Sequence, residues 1–198
     1  VGHREALLVG AKKCLFERGY ARTTARDIVA ASGTNLASIG YHFGSKEALL
    51  TAALIDAYGE WDDELVRVAQ EIAPTGATGL EQIEALWAWM IDAFDRLRPL
   101  MVANIEAFAQ AQHSEELREL LASYYQRMRE RYVAESGKFI GSSDLSTQAI
   151  ASFHIALFDG VILQWLIDPE NAPSARDLIG ALHALVEIAN SSENKPVN

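Results

Sequence analysis

Residues 23–50 read TTARDIVAASGTNLASIGYHFGSKEALL, and local chemistry alone lays two short helices on them. Thr24 followed three residues later by Asp27 has the spacing of a capping box, in which hydroxyl and carboxylate each satisfy a backbone amide of the first turn. The helix it opens runs from about Ala25 to Ser32 and stops at Gly33, since glycine enters the left-handed region without strain. Asn35 caps a second helix through Phe43, and Ser45 caps a longer one that begins Lys46-Glu47-Ala48-Leu49-Leu50. Two short helices across a Gly-centred turn describe a helix-turn-helix. Its core is expected to be Ile28, Ala31, Ile39, Phe43 and Leu49, which leaves Leu36, Ala37, Ser38, Tyr41 and His42 to face outward.

Outward from this segment the same period continues. Leu7, Leu8, Ala11, Cys14 and Leu15 make one stripe on a first helix that Gly19 ends. Pro74, Gly76 and Gly79 separate the long helix from one over about 80–97, and Pro99 is expected to bend the chain before a helix containing Met101, Ile105 and Phe108. Ser114, with Glu115 and Glu116 behind it, starts another. Residues 137–143 (GKFIGSS) and 168–174 (DPENAPS) read as loops around a helix over about 144–167. Leu178, Leu182, Leu185 and Ala189 mark a last helix, and the tail 191–198 reads as disordered. Alternating apolar and polar runs are hard to find, so the fold class is all-α, with about nine helices.

The 198 residues carry a formal net charge of −10, which excludes a polybasic protein that grips nucleic acid through its global charge. The charge is unevenly spread. Residues 1–50 hold seven cations (Arg4, Lys12, Lys13, Arg18, Arg22, Arg26, Lys46) against four anions, or +3, and the remainder is −13. With 49% apolar residues the chain has material for a core, which excludes disorder as the default. The single Cys14 excludes an internal disulfide, and no Cys/His array suggests structural zinc, so a cytoplasmic location is expected. The apolar stretch from Phe153 to Ile167 is interrupted by His154, Asp159 and Gln164 and falls short of a membrane span, so no membrane partner is expected. The amino terminus does not read as a secretory signal.

Thr24, Arg26, Asp27, Ile28, Ala31, Gly33, Asn35 and Ile39, followed by YHFGSKEALL at 41–50, resemble the amino-terminal DNA-binding domain of the TetR (tetracycline repressor) family of transcriptional regulators. The resemblance covers about residues 4–52. Asp159-Gly160, Gln164-Trp165-Leu166 and Asp168-Pro169 also resemble the end of that family's dimer-forming helix. The resemblance implies a DNA-binding domain at 1–50 and a helical effector-binding and dimerisation domain at 51–198. It further implies a homodimer on a palindromic double-stranded DNA operator, acting as a repressor that a small-molecule effector releases. Two positions depart from the family pattern: Thr34 stands where an apolar residue is usual, which would loosen the turn. Gly40 stands where Tyr is frequent, which removes an aromatic contact and weakens the helix.

In a helix-turn-helix the start of the second helix points at base edges, which assigns Asn35, Leu36, Ala37 and Ser38 to readout. By the resemblance, Tyr41 and His42 touch the sugar-phosphate backbone, Lys46 adds a phosphate contact, and Thr24 and Arg26 open the preceding helix where Arg26 reaches a guanine edge. From Phe153 onward the helix over 144–167 is apolar nearly all round and needs cover on more than one side, so Leu157, Val161 and Trp165, with Leu178, Leu182 and Leu185, are candidates for a dimer interface. Trp87, Met90, Phe94, Met101, Phe108, Tyr124, Met128, Phe158 and Asp159 suit an effector pocket, with Gln164, Glu106 and Asp92 as further polar groups. The −13 balance favours a neutral or cationic effector. No catalytic motif is present, so an enzyme is not expected. His154 and His183 lack a third ligand, and neither metal nor cofactor is expected. A second reading, motivated by Gly40 and the acidity, is an all-helical ligand-binding or interaction protein that has lost specific DNA binding.

Overall fold

The computed structural model describes residues 2–72, 79–136 and 144–193, and every regular element among them is a helix. These are α1 (His3–Arg18), α2 (Ala25–Ser32), α3 (Leu36–Phe43), α4 (Lys46–Glu71), α5 (Gly79–Asp92), α6 (Phe94–Ala111), α7 (Glu115–Ser136), α8 (Asp144–Ile167) and α9 (Ala175–Glu193). The all-α expectation holds. The expected loops at 74–78 and 137–143, and the tail beyond Glu193, lie outside the described residues, whereas Ser191–Glu193 belong to α9.

One boundary moves. Pro99, expected to bend the chain, lies in the second turn of α6, where its missing amide deprives only the Asp95 carbonyl of a partner. The break falls at Ala93, whose amide is shared between the carbonyls of Trp89 and Met90 at 3.3 and 3.2 Å. A cap the sequence reading missed opens α9. The Ser174 hydroxyl accepts the Asp177 amide while the Asp177 carboxylate accepts the Ser174 amide and hydroxyl.

The chain divides into two compact units, Val1–Glu64 with Arg96–Ile155 and Leu65–Asp95 with Ala156–Asn198. In the first, α1 to α3 form a three-helix head. Gly10 lets α1 approach α2: a Cβ there would lie 2.8 Å from Ser32 Cβ and 3.1 Å from the Ile28 carbonyl oxygen. Tyr20, fully buried, ties the α1–α2 turn to α4, its hydroxyl bonding the Glu47 carbonyl at 3.1 Å and the Thr51 hydroxyl at 2.9 Å. Burial pushes the Tyr20 phenol up to about 12, so the group stays a neutral hydrogen-bonding pin. Ile28, Ile39 and Leu49 are buried as expected, but Ala31 is exposed and Phe43 only half-buried, with the Arg4 guanidinium 5.2 Å from its ring centre.

The same unit joins α4 to α6 and α7. Tyr58 and Tyr124 pack with ring centres 5.7 Å apart, and Phe108 and Leu120 close over Ala111, Leu117 and Leu121. Arg131 of α7 donates to the Asp63 carboxylate at 2.6 Å and to the Asp62 carbonyl at 3.3 Å. The Asp62 carboxyl is pushed up to about 6 by burial, against the pull of Arg131. In the second unit Phe94 packs edge-on against Phe158 at 5.9 Å and Trp165 at 5.5 Å, and α5 packs on α9.

Along α8, Thr147, Ala151, Ile155, Val161, Ile162 and Trp165 are buried, whereas Phe153, Leu163 and Ile167 are exposed. The span Thr147–Ile167, with mean hydropathy 1.7, is long and apolar enough to cross a membrane, contrary to the length expected from the sequence. Its buried stripe is the pattern of a helix seated in protein on one side.

Gly10→Ala should destabilise the chain by about 1–3 kcal/mol, because the added methyl meets backbone and Cβ atoms rather than a flexible tip; urea unfolding measures this. Asp62 has a raised folded pKa, so its neutral form favours folding below the ordinary carboxylate range. That contribution is lost as pH rises towards 6. Asp62→Asn should therefore raise Tm at pH 8, by roughly 2–4 °C per kcal/mol relieved, and flatten the stability profile between pH 4 and 6.

Candidate nucleic-acid interface

Thr24 and Asp27 form the expected capping box: the Thr24 hydroxyl accepts the Asp27 amide at 3.2 Å and Asp27 Oδ2 accepts the Thr24 amide at 2.9 Å. The bonds from Thr24, followed by the Arg18 guanidinium at 3.2 Å, hold the Asp27 carboxyl below its ordinary range. Gly33 ends α2 at φ +66, in the left-handed region that favours glycine. Thr34 is tied into this turn by two hydrogen bonds. Its hydroxyl meets that of Ser32 at 2.7 Å and its amide donates to the Val29 carbonyl at 3.2 Å.

Asn35 caps α3, Oδ1 accepting the Ser38 amide at 3.0 Å and the Ser38 hydroxyl at 3.2 Å. This corrects the expectation for Ser38, which is 8% exposed and faces α1, its hydroxyl 3.4 Å from His3 Nδ1. The outward face of α3 is instead Leu36, Ala37, Gly40 and Tyr41, residues that neighbour one another at helical spacing. Leu36 is 53% and Tyr41 86% exposed. His42 is half-buried and meets the Tyr41 ring edge-on at 4.8 Å. Gly40 borders open space, and a Cβ there would meet nothing within 4 Å.

The cations of the head differ in availability. Lys12 is held by Asp56 and Glu60, each at 2.7 Å, and Arg18 by Asp27. Lys13 lies 3.9 Å from Glu17. Lys46 is half-buried at the start of α4, donating to the Thr23 carbonyl at 3.1 Å and pairing with Glu47 at 3.0 Å. Among the described residues Arg4, Arg22 and Arg26 have no carboxylate partner, and Arg26 and Thr24 are both exposed at the start of α2. Sequence reasoning missed His3 and Arg4 as braces of α3. Glu106, expected as a polar group for an effector, uses Oε2 to accept the Ala21 amide at 2.9 Å.

The effector candidates fall into separate groups. Met101 and Tyr124 are buried and Phe108 and Met128 half-buried in the first unit, while Trp87, Met90 and Phe94 are buried and Phe158 and Asp159 half-buried in the second. None of the nine lines either of two surface clefts, of about 240 and 280 Å³, found in the first unit among the described residues. Gln164 and Asp92 are exposed. Of the interface candidates, Val161, Trp165 and Leu178 are buried inside the second unit's own core. Leu157 and Leu182 are half-buried, and Leu185 is exposed beside Val186 and Ile188. Among the described residues no group of three or more His, Cys, Asp or Glu side chains could hold a metal.

Residues 7–53 match the family model described as bacterial regulatory proteins, tetR family, and residues 79–188 match the BetI-type transcriptional repressor, C-terminal. The chain is 30% identical over 162 residues to the HTH-type transcriptional regulator BetI of Rhizobium meliloti, covering 81% of this chain and 76% of that protein. It is 26% identical over 196 residues to the HTH-type transcriptional regulator TtgR of Pseudomonas putida, covering 93% and 88%. A crystal structure of a transcriptional regulator from Rhodococcus sp. RHA1 shares the fold, with a TM-score of 0.69 at 18% identity over 98% of this chain and 100% of that one. A capped helix-turn-helix at the amino end and a BetI-type carboxy-terminal domain together mean that this chain belongs to the TetR family of transcriptional regulators.

Proposed function

We propose that the chain is a cytoplasmic homodimeric repressor that reads a palindromic operator through α2 and α3 and is released by a small-molecule effector. The observation that carries the reading is the outward face of α3, Leu36, Ala37, Gly40 and Tyr41, together with the exposed Arg26 at the start of α2. In this division of labour residues 1–50 bind DNA and residues 51–198 bind the effector and the second subunit. Asn35, Leu36 and Ala37 lie over base edges, and Arg26 reaches a guanine. Tyr41, His42 and Thr24 lie along the backbone, and Lys46 reaches a phosphate by exchanging Glu47 for it. Ser38 positions α3 from the inside.

The dimer face follows from what the protomer leaves uncovered. Leu163 and Ile167 on α8 and Leu185, Val186 and Ile188 on α9 are exposed apolar residues of one unit, and a second copy would cover them. They replace the buried Val161, Trp165 and Leu178 as interface residues, beside the partly exposed Leu157 and Leu182. The effector is neutral or cationic and lies among the aromatic and methionine side chains of the carboxy-terminal helices. Its coupling to the head runs through α4 and α6, a route supported by the Tyr20–Thr51 and Glu106–Ala21 hydrogen bonds. Such couplings typically amount to about 1–3 kcal/mol.

Selection of bound fragments from a random DNA pool tests the central reading and should enrich a palindrome; recovery without enrichment would overturn it in favour of a protein that has lost specific binding. On the selected operator, Arg26→Ala should cost about 1–3 kcal/mol and relax one base position. Tyr41→Ala should weaken all sequences alike, while Lys46→Ala should lower the salt slope by about 1. In sedimentation, Leu185→Glu with Ile188→Glu should yield a helical monomer, and a persisting dimer would exclude this face.

A further inference from the structure

Away from the outward face of α3, a cleft of about 280 Å³ opens in the first unit between α1, α4 and α6. Phe16, Trp61, Glu60, Glu64, Arg96 and Leu100 shape it. Trp61 is 5% exposed and makes the floor, while Phe16 stands 44% exposed as a wall. The Arg96 guanidinium lies 5.9 Å from the centre of the Trp61 ring and 3.4 Å from Glu64 Oε2. Both contacts are long: the first sits at the outer limit of a cation–π contact, and the second exceeds the range of a good charge-assisted hydrogen bond. The backbone of α6 tethers Arg96, and its side chain remains 60% exposed. An aromatic face and a carboxylate thus already hold a guanidinium, at separations that leave room for a closer contact with each.

We propose that this cleft binds a small organic monocation with one short apolar or aromatic arm, which displaces Arg96 from Trp61 and Glu64. An untethered cation can sit nearer the indole and nearer Glu64 than Arg96 does, with its arm against Phe16 and Leu100. Glu60 shares Lys12 with Asp56, each at 2.7 Å, whereas Glu64 is paired with Arg96, so a ligand that takes the place of the guanidinium at Glu64 carries a single positive charge. The volume lies just under the range of roughly 300–1,000 Å³ for drug-sized ligands, which limits the occupant to about one ring and a short chain.

Isothermal titration of the full chain with phenethylammonium chloride, 2-phenylethanol and phenylacetate, without DNA, tests the site. The ammonium should bind saturably, about tenfold more tightly than the alcohol, and phenylacetate should not bind. Glu64→Gln should weaken the ammonium about tenfold, whereas Glu119→Gln on α7, outside the cleft, should not. Arg96→Ala and Arg96→Gln, which remove the internal occupant, should tighten it about three- to tenfold with helicity by circular dichroism unchanged. Absence of saturable binding, equal affinity for ammonium and alcohol, or helical Arg96 variants that bind no better than the parent would each overturn the proposal. Operator selection is independent of all three outcomes.

Discussion

Helices of eight residues do not persist in water by themselves, because the cost of nucleating a turn exceeds what so few hydrogen bonds return. The head contains two of them, α2 and α3. Their existence depends on ends that are fixed chemically and on a close crossing with α1. Thr24 with Asp27, and Asn35 with Ser38, satisfy amides that would otherwise lack partners, while Gly33 turns the chain between the helices. Gly10 brings α1 within reach of Ser32, and Tyr20 pins the preceding turn to α4. With these in place α3 is held from its ends and its inner side, which leaves Leu36 and Tyr41 on the outward face exposed.

What the sequence disclosed and what it withheld follow the range of each interaction. Caps act over three residues, so Thr24, Asn35, Ser45 and Ser114 were readable, although the same chemistry at Ser174 and Asp177 was overlooked inside a stretch read only as loop. The rotation of a short helix about its axis depends on its neighbours. Ala31 and Ser38 therefore exchanged sides relative to expectation, Ala31 outward and Ser38 inward against His3. A helix that is apolar all round carries no period from which to choose a buried face, so Val161 and Trp165 could not be told from Leu163 and Ile167 until α5 and α9 were packed. Glu106 was named as a polar group for a ligand because nothing local announces that its partner is a backbone amide 85 residues earlier in the chain.

Net charge divides in the same way. The +3 of the first fifty residues is a sum over groups in different circumstances, and four of the seven cations meet carboxylates within the fold. Arg4, Arg22 and Arg26 are left as the head's contribution to an external field, carried on a chain whose remaining residues are strongly acidic. A field so concentrated orients an approaching polyanion more than it attracts one.

The bond from the Ala21 amide to Glu106 spans 85 residues. During synthesis the turn between α1 and α2 emerges long before its acceptor, and its amide must remain with water until α6 has been made. The head therefore completes its hydrogen bonding late, in a step of high contact order, although each of its helices is local. A fragment ending soon after the match to the family's amino-terminal model would carry that turn permanently unfinished.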